Sequence, residues 1–168
     1  MRRRQPLAVA LLALAAQGVA LPSAVAQPSP DVIRVAVVQN DPEVTLQIHG
    51  GFTILSAQTG QPVEQGQRFK PTSVRAIPQG LALGNTLLPL SGLRVEPVRD
   101  ATISVNGQRL RGTLEIVRQD NLTLLVINHL SLEEYLQGVL SKEAPDYWPE
   151  DALKAIAIAA RTYAVYQR

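Results

Sequence analysis

The residues best able to do chemistry lie close together between Gly138 and Pro149. This segment holds the only tryptophan of the chain, Trp148, next to Tyr147, together with the acid Glu143. Aromatic faces beside a carboxyl group suit carbohydrate binding, because each ring combines an apolar face with a polar edge or tip. A carboxyl group beside an apolar wall also has a raised pKa, as a general acid requires. In the alternative, which the pattern alone favours, the rings fill a hydrophobic gap and Glu143 is a solvated loop charge.

Two predicted helices flank this segment and must position it. Ser131-Leu132-Glu133-Glu134 is a capping box, so a helix is expected from Leu132 to about Val139. Pro149 suits the first position of a second helix. One face of that helix is made of small and apolar residues, namely Leu153, Ile156, Ala157, Ala160 and Ala164. Glu143, Tyr147 and Trp148 are therefore predicted on an interhelical loop, where functional groups are often found.

Upstream of the helices, apolar residues alternate with a period of two, which predicts strands. Gly50-Gly51 and Asn106-Gly107 each indicate a two-residue hairpin. The stretch 56–92 is rich in proline and glycine and predicts short strands or loops. The run from Leu122 to Ile127 is almost wholly apolar, as in a central strand buried on both faces. The predicted fold class is α+β: a mostly antiparallel β region over about 33–128, followed by two helices.

The first 26 residues have the three parts of a secretory signal. Arg2–Arg4 are basic, Leu7–Ala16 are apolar, and Ala24-Val25-Ala26 is a small-x-small cleavage site. We therefore predict a signal peptide at 1–26, a linker at 27–32 and export across the cytoplasmic membrane, with membrane contact only through the signal. The net charge of +2 depends on this leader, because losing its three arginines leaves 13 basic against 14 acidic side chains. The charge therefore gives no reason to expect a nucleic-acid partner.

Motifs for cofactors and metals are lacking in the sequence. There is no phosphate-binding glycine loop, no G-x-S-x-G and no H-E-x-x-H. With no cysteine, thiolate metal sites and iron–sulfur clusters are excluded. His49 and His129 are far apart in the chain, and a polar strand face and a structural junction account for them. No cofactor and no metal ligand is predicted.

One block of residues resembles a known family. The stretch from Ile127 to Val139, then Ser141-Lys142-Glu143-Ala144-Pro145, Trp148-Pro149 and the helix through Ala159-Ala160-Arg161-Thr162-Tyr163-Ala164, closely resembles the stage II sporulation protein D (SpoIID) domain. That family includes the amidase-enhancer (LytB-type) proteins. The upstream strands fit its N-terminal portion more loosely, so the resemblance implies a SpoIID-like domain over 33–168 with the helical motif at 131–168.

The resemblance implies a lytic transglycosylase that acts on peptidoglycan glycan strands, with Glu143 as the catalytic acid. Such an enzyme needs one carboxyl group, whereas hydrolytic glycosidases generally need two. Tyr147, Trp148 and Arg161 are the implied substrate-binding residues, although packing between the helices is an equally good role for the two rings. For Arg161 a structural role is an open alternative.

The sequence departs from the family pattern in two ways. Ser141-Lys142-Glu143-Ala144 stands where the family often has Pro-Ser-Glu-Met. The family domain also continues well past the Ala-Arg-Thr-Tyr-Ala helix, so the C-terminal half is expected to be missing here. The alternatives to an enzyme are a non-catalytic module that binds the cell wall or activates a cell-wall amidase, and an inactive fragment.

Overall fold

A computed structural model describes residues 32–145 and 147–167, apart from the side chain of Glu143. The predicted signal peptide, and the linker up to residue 31, lie outside this part. Val32 already belongs to the first strand. In chain order the elements are β1 Val32–Asp41, β2 Glu43–Ser56, β3 Pro62–Ile77, β4 Gly80–Leu83, β5 Thr86–Leu88, β6 Gly92–Pro97, β7 Thr102–Val105, β8 Gln108–Leu110, β9 Thr113–Arg118, β10 Leu124–Ser131, α1 Leu132–Glu143 and α2 Glu150–Tyr166.

All strand pairs in the described chain are antiparallel and belong to one sheet. The strand order is β1-β10-β9-β6-β2-β3-β4-β5, and β7 adds to β2 and carries β8 on its other edge. The two helices follow the sheet, so the predicted α+β fold is confirmed. The inward-facing side chains of the strands form one apolar core. Within it, Phe52 and Phe69 meet edge to face with ring centroids 5.5 Å apart.

The hairpin predicted at Gly50-Gly51 is wrong. β2 runs straight through these residues, and three β2 steps from His49 to Phe52 face two β3 steps, which makes a β-bulge. The partner on the other edge of β2 changes here from β7 to β6. Gly50 has φ +101° and a Cβ on it would lie 2.8 Å from the Ala101 Cα. The bulge therefore requires glycine at position 50. A Gly-Gly pair is also typical of a two-residue turn, so the sequence pattern does not distinguish the two.

The region 56–92 is more regular than predicted, because it contains β3, a strand of 16 residues. Pro62 is the first residue of the strand, where a missing N–H is tolerated. Pro71 lies at a second bulge, where three β3 steps from Phe69 to Thr72 face two steps of β2. Both prolines thus occupy positions at which the ladder does not need their N–H, and the strand continues.

The helices adjoin the β1–β10 end of the sheet. α1 packs on β10 and β1, and α2 packs on α1. β10 lies between β1 and β9, as predicted for a central strand, but it begins at Leu124 and not at the exposed Leu122, and Leu125 is only half-buried. The predicted face of α2 is the covered one: its Leu153, Ile156, Ala157 and Ala160 are half-buried and Ala164 is buried. No helix in the described part of the chain is long and apolar enough to cross a membrane.

Candidate functional site

The capping box at the start of α1 forms as predicted. The Ser131 hydroxyl accepts a hydrogen bond from the Glu134 backbone N–H at 3.2 Å, and the Glu134 carboxylate accepts one from the Ser131 N–H at 2.9 Å. Ser131 is also the last residue of β10, so strand and helix join without a loop. This junction fixes where α1 begins on the sheet.

Glu143 lies at the far end of α1, as its last residue. The sequence predicted a helix ending near Val139 and placed Glu143 on the loop, so the helix is one turn longer than predicted. The reason is that Leu140, Ser141 and Lys142 are compatible with a helix. Ala144 caps the helix: it is a buried residue, and its backbone N–H donates to the Leu140 carbonyl at 3.0 Å. Glu143 is thus held by helical backbone instead of a loop.

The predicted aromatic residues follow in the link between the helices. The Trp148 N–H donates to the Pro145 carbonyl at 3.1 Å, which closes a turn. Tyr147 is 85% exposed and Trp148 is 38% exposed. Two aromatic rings that face solvent a few residues after an acid can stack on a sugar, and Tyr147 does not fill a gap between the helices. Asp146 lies outside the described residues.

Arg161 contacts the first turn of α1 rather than the loop. Its Nη1 atom lies 2.6 Å from Oε1 of Glu133, and both side chains are about half exposed. The neighbouring Thr162 hydroxyl donates to the Ile158 carbonyl within α2. In this structure Arg161 therefore links the two helices, which is the structural role left open by the sequence.

A groove of about 800 Å³ runs along α1 on the side of the β7–β8 hairpin. Its walls come from Val35 and Asn128 of the sheet, Arg109 of β8, and the α1 face that contains Gly138 and Lys142. Tyr147, Trp148 and Arg161 are not among its lining residues. The sequence did not single out Asn128 or Gly138 as functional. A polar residue ending the apolar run of β10, and a glycine inside a helix, were the available signals.

No group of three or more His, Cys, Asp or Glu side chains within the described ranges is placed to hold a metal ion. Among the described residues, the imidazole of His129 lies beside the carboxylate of Glu115. Nε2 and Oε2 are 3.0 Å apart, on the neighbouring strands β10 and β9. This pair lies on the sheet, away from the segment around Glu143, and serves as a cross-strand contact.

Comparison with known families finds a match for the C-terminal part of the chain. The SpoIID family, described as "Stage II sporulation protein", matches residues 120–168. The chain from residue 120 onward, which contains the β10–α1 junction, Glu143 and α2, is therefore similar to the SpoIID family, and the resemblance of these residues is confirmed. The strands before residue 120 lie outside the match.

Individual relatives have been found in three bacteria. The chain is 29% identical over 136 residues to an uncharacterized protein of Brachyspira hyodysenteriae, covering 81% of this chain and 36% of that protein. It is 36% identical over 105 residues to an uncharacterized protein of Chlamydia pneumoniae, covering 62% and 37%. A third, from Chlamydia muridarum, is 29% identical over 138 residues, covering 81% and 47%. The chain thus spans less than half of each relative. No solved structure matches it.

Proposed function

We propose that this protein is exported and cleaves the glycan strands of peptidoglycan as a lytic transglycosylase, with Glu143 as the single acid and base. The supporting observation is the position of Glu143 in the SpoIID-matching segment, at the end of a capped helix and just before two exposed aromatic rings. The match at residues 120–168 relates this part of the chain to stage II sporulation proteins; the reaction itself is our proposal.

In the proposed reaction Glu143 first donates a proton to the glycosidic oxygen, and the bond from that oxygen to C1 of the muramic acid breaks. The C6 hydroxyl of the same sugar forms a new bond to C1 and gives its proton to the Glu143 carboxylate. The products are a 1,6-anhydro sugar and a free hydroxyl on the departing strand. No water is consumed and Glu143 ends protonated, so the reaction needs no second carboxylate.

The end of α1 suits the first of these steps. The C-terminal turn of a helix is the negative end of its dipole, so an ionised carboxylate is disfavoured there relative to a protonated carboxyl group. Lys142, the basic residue of the same turn, opposes this effect. Its side chain is exposed, where the attraction between charges is weakened by water.

The Tyr147 and Trp148 rings are the proposed sugar platform. A sugar can stack only on a ring whose face is exposed, and the Tyr147 side chain is almost fully exposed. We propose that Arg161 acts on the substrate only indirectly, by fixing α2 against α1 through Glu133. It is then a positioning residue.

The decisive experiment compares Glu143→Gln with Glu64→Gln, a matched substitution at an exposed position on β3. Both full-length variants are incubated with purified glycan strands, and anhydro-muramyl ends are counted by mass spectrometry. We expect Glu143→Gln to lose product formation by at least about a hundredfold and Glu64→Gln to match the parent. Equal activity in Glu143→Gln and the parent would remove Glu143 from the mechanism.

The same assay separates the alternative from a different class. A module that only binds the wall or activates an amidase would retain sacculi in a pull-down and release no anhydro sugars. If the parent protein behaves in that way, while adding it to a cell-wall amidase raises amide cleavage, the binding or activating role replaces the enzymatic one.

A further inference from the structure

Two features of the α1 groove have no explanation within the described chain. The first is Asn128, which pairs with Leu114 of β9 and is only 4% exposed. Its Oδ1 atom has no hydrogen-bond partner among the described residues. A buried carbonyl oxygen without a donor is unfavourable, and such atoms are rare in folded proteins. Asn128 lines the groove, so a turn of its side chain toward the groove would bring Oδ1, which is covered by protein here, within reach of a donor on a bound molecule.

The second feature is Gly138, in the interior of α1. Glycine disfavours a helix relative to alanine. A Cβ at this position would meet no heavy atom of the described chain within 4 Å, and its φ is in the ordinary negative range. Neither close packing nor backbone conformation in the described part therefore requires glycine here. What the glycine does is keep the groove wall free of a side chain.

The charges around the groove indicate the kind of ligand. Arg109 and Lys142 stand on its two walls, and neither takes part in an ion pair of the described residues. Arg111 also lines it and donates to Oε1 of Gln137 at 3.0 Å. Of the two acids on the lining, Glu134 is occupied by the capping box, which leaves Asp100. The basic side chains on the lining outnumber the acidic ones, which favours an anionic ligand.

We propose that this groove binds an acidic segment of the glycan, with a sugar carboxylate near Arg109 and Lys142 and a sugar hydroxyl or amide N–H donating to Oδ1 of Asn128. The proposal rests on the proposed function and adds a binding site to it. A volume of about 800 Å³ lies within the range of small-molecule sites and suits a short oligosaccharide. Lys142, on the lining of the groove, directly precedes Glu143 in α1.

The test measures binding of a fluorescent glycan by the full-length Glu143→Gln protein, so that the ligand stays uncut. Two probes are used: strands with free lactyl carboxylates, and the same strands with those carboxyl groups reduced to alcohols. Gly138→Leu adds a side chain to the groove wall, starting from a Cβ that would meet no heavy atom of the described chain within 4 Å, and Gly138→Ala adds the Cβ alone. We expect Gly138→Leu to weaken binding of both probes at least tenfold, and Gly138→Ala to weaken it less.

The charge requirement is tested by Arg109→Gln combined with Lys142→Gln. This variant should weaken binding of the carboxylate probe about tenfold and leave the reduced probe unchanged. Lys70→Gln, at an exposed position on β3 outside the groove, is the matched control and should bind like its parent. Thermal melting of each variant checks that it is folded.

The outcomes separate this site from the proposed reaction. If adding Gly138→Leu to the Glu143→Gln protein leaves the binding of both probes unchanged, the groove is not the site. This holds even if the unsubstituted protein releases anhydro sugars. If both probes bind equally to the Gly138 protein, the carboxylate is not recognised. If the groove variants lose binding but the parent never cleaves, the site stands and the transglycosylase proposal fails.

Discussion

Arg161 and Glu133 join the two helices of the SpoIID segment through a contact of 2.6 Å between Nη1 and Oε1. Glu133 is in the first turn of α1 and Arg161 is in the second half of α2, so the contact spans the helix pair. α2 packs mainly on α1, and α1 packs on the sheet. This ion pair and the alanine-rich face of α2 therefore hold α2 in place.

The Arg161–Glu133 pair can be examined by a double-mutant cycle. Since both side chains are about half exposed, we expect a coupling free energy of about 0.2–1 kcal/mol from Arg161→Gln, Glu133→Gln and the double variant in urea unfolding. Glycan binding distinguishes the two roles of Arg161. A linking role predicts similar small losses in both single variants, whereas a large loss in Arg161→Gln alone would show direct contact with the glycan.

The capping box predicts a stability cost at Ser131. Ser131→Ala removes the hydroxyl that accepts from the Glu134 N–H, and we expect a loss of about 1 kcal/mol in the free energy of unfolding. Ser131→Thr keeps the acceptor and is the matched control. If both variants lose the same free energy of unfolding, the missing hydrogen bond of the cap is not the cause of the loss.

The bulge in β2 predicts an uneven response to alanine at two glycines. Gly50→Ala places a methyl group 2.8 Å from the Ala101 Cα at φ +101°, so we expect a loss of at least about 2 kcal/mol. Gly60→Ala has a positive φ of 68° but nothing of the described chain within 4 Å, and should lose only about 1 kcal/mol. Equal losses would show that the backbone conformation matters and the close approach does not.

The Asn128 oxygen, which has no partner among the described residues, predicts that its removal will not destabilise the protein. Asn128→Leu replaces a buried polar group by an apolar one of similar size, and we expect the free energy of unfolding to stay the same or to rise by about 1 kcal/mol. The opposite exchange at its strand neighbour, Leu114→Asn, should cost about 2 kcal/mol or more. If Asn128→Leu is strongly destabilising, the oxygen has a structural partner and the groove argument loses its first support.

The predicted signal at 1–26 has a direct test. Fusion of residues 1–30 to an alkaline phosphatase that is active only after export should give activity, and N-terminal sequencing of the mature product should begin near Gln27. The control replaces Arg2, Arg3 and Arg4 by glutamate, which removes the basic start of the signal. Activity that does not depend on these arginines would contradict the predicted signal.

The features predicted correctly are those whose causes are local in sequence. Ser131 and Glu134 contain both halves of the capping box, so four residues suffice to predict it. Asn106 and Gly107 have φ values of 51° and 81°, as a type I′ turn between β7 and β8 requires. In each case the residues that make the interaction are the ones that make the pattern.

The errors have the opposite cause. Gly50-Gly51 satisfies a turn and a bulge equally, and the choice depends on β6 and β7, about fifty residues away, which both pair with β2. The groove is missed for the same reason. Asn128 and Gly138 face one space only because the β7–β8 hairpin and α1 lie on either side of it, and neither residue has a local pattern that reveals this.

The direct passage from β10 into α1 has a mechanical consequence. The twelve residues of α1 make a helix about 18 Å long, and Ser131 is the pivot about which a small change in its direction is enlarged at the far end. A tilt of about 5° at the pivot moves the far end by about 1.5 Å, and a misplacement of about 1 Å can slow a reaction about a hundredfold. In the proposed mechanism the position of Glu143 therefore depends on the start of the helix, where two hydrogen bonds between Ser131 and Glu134 fix the direction of α1.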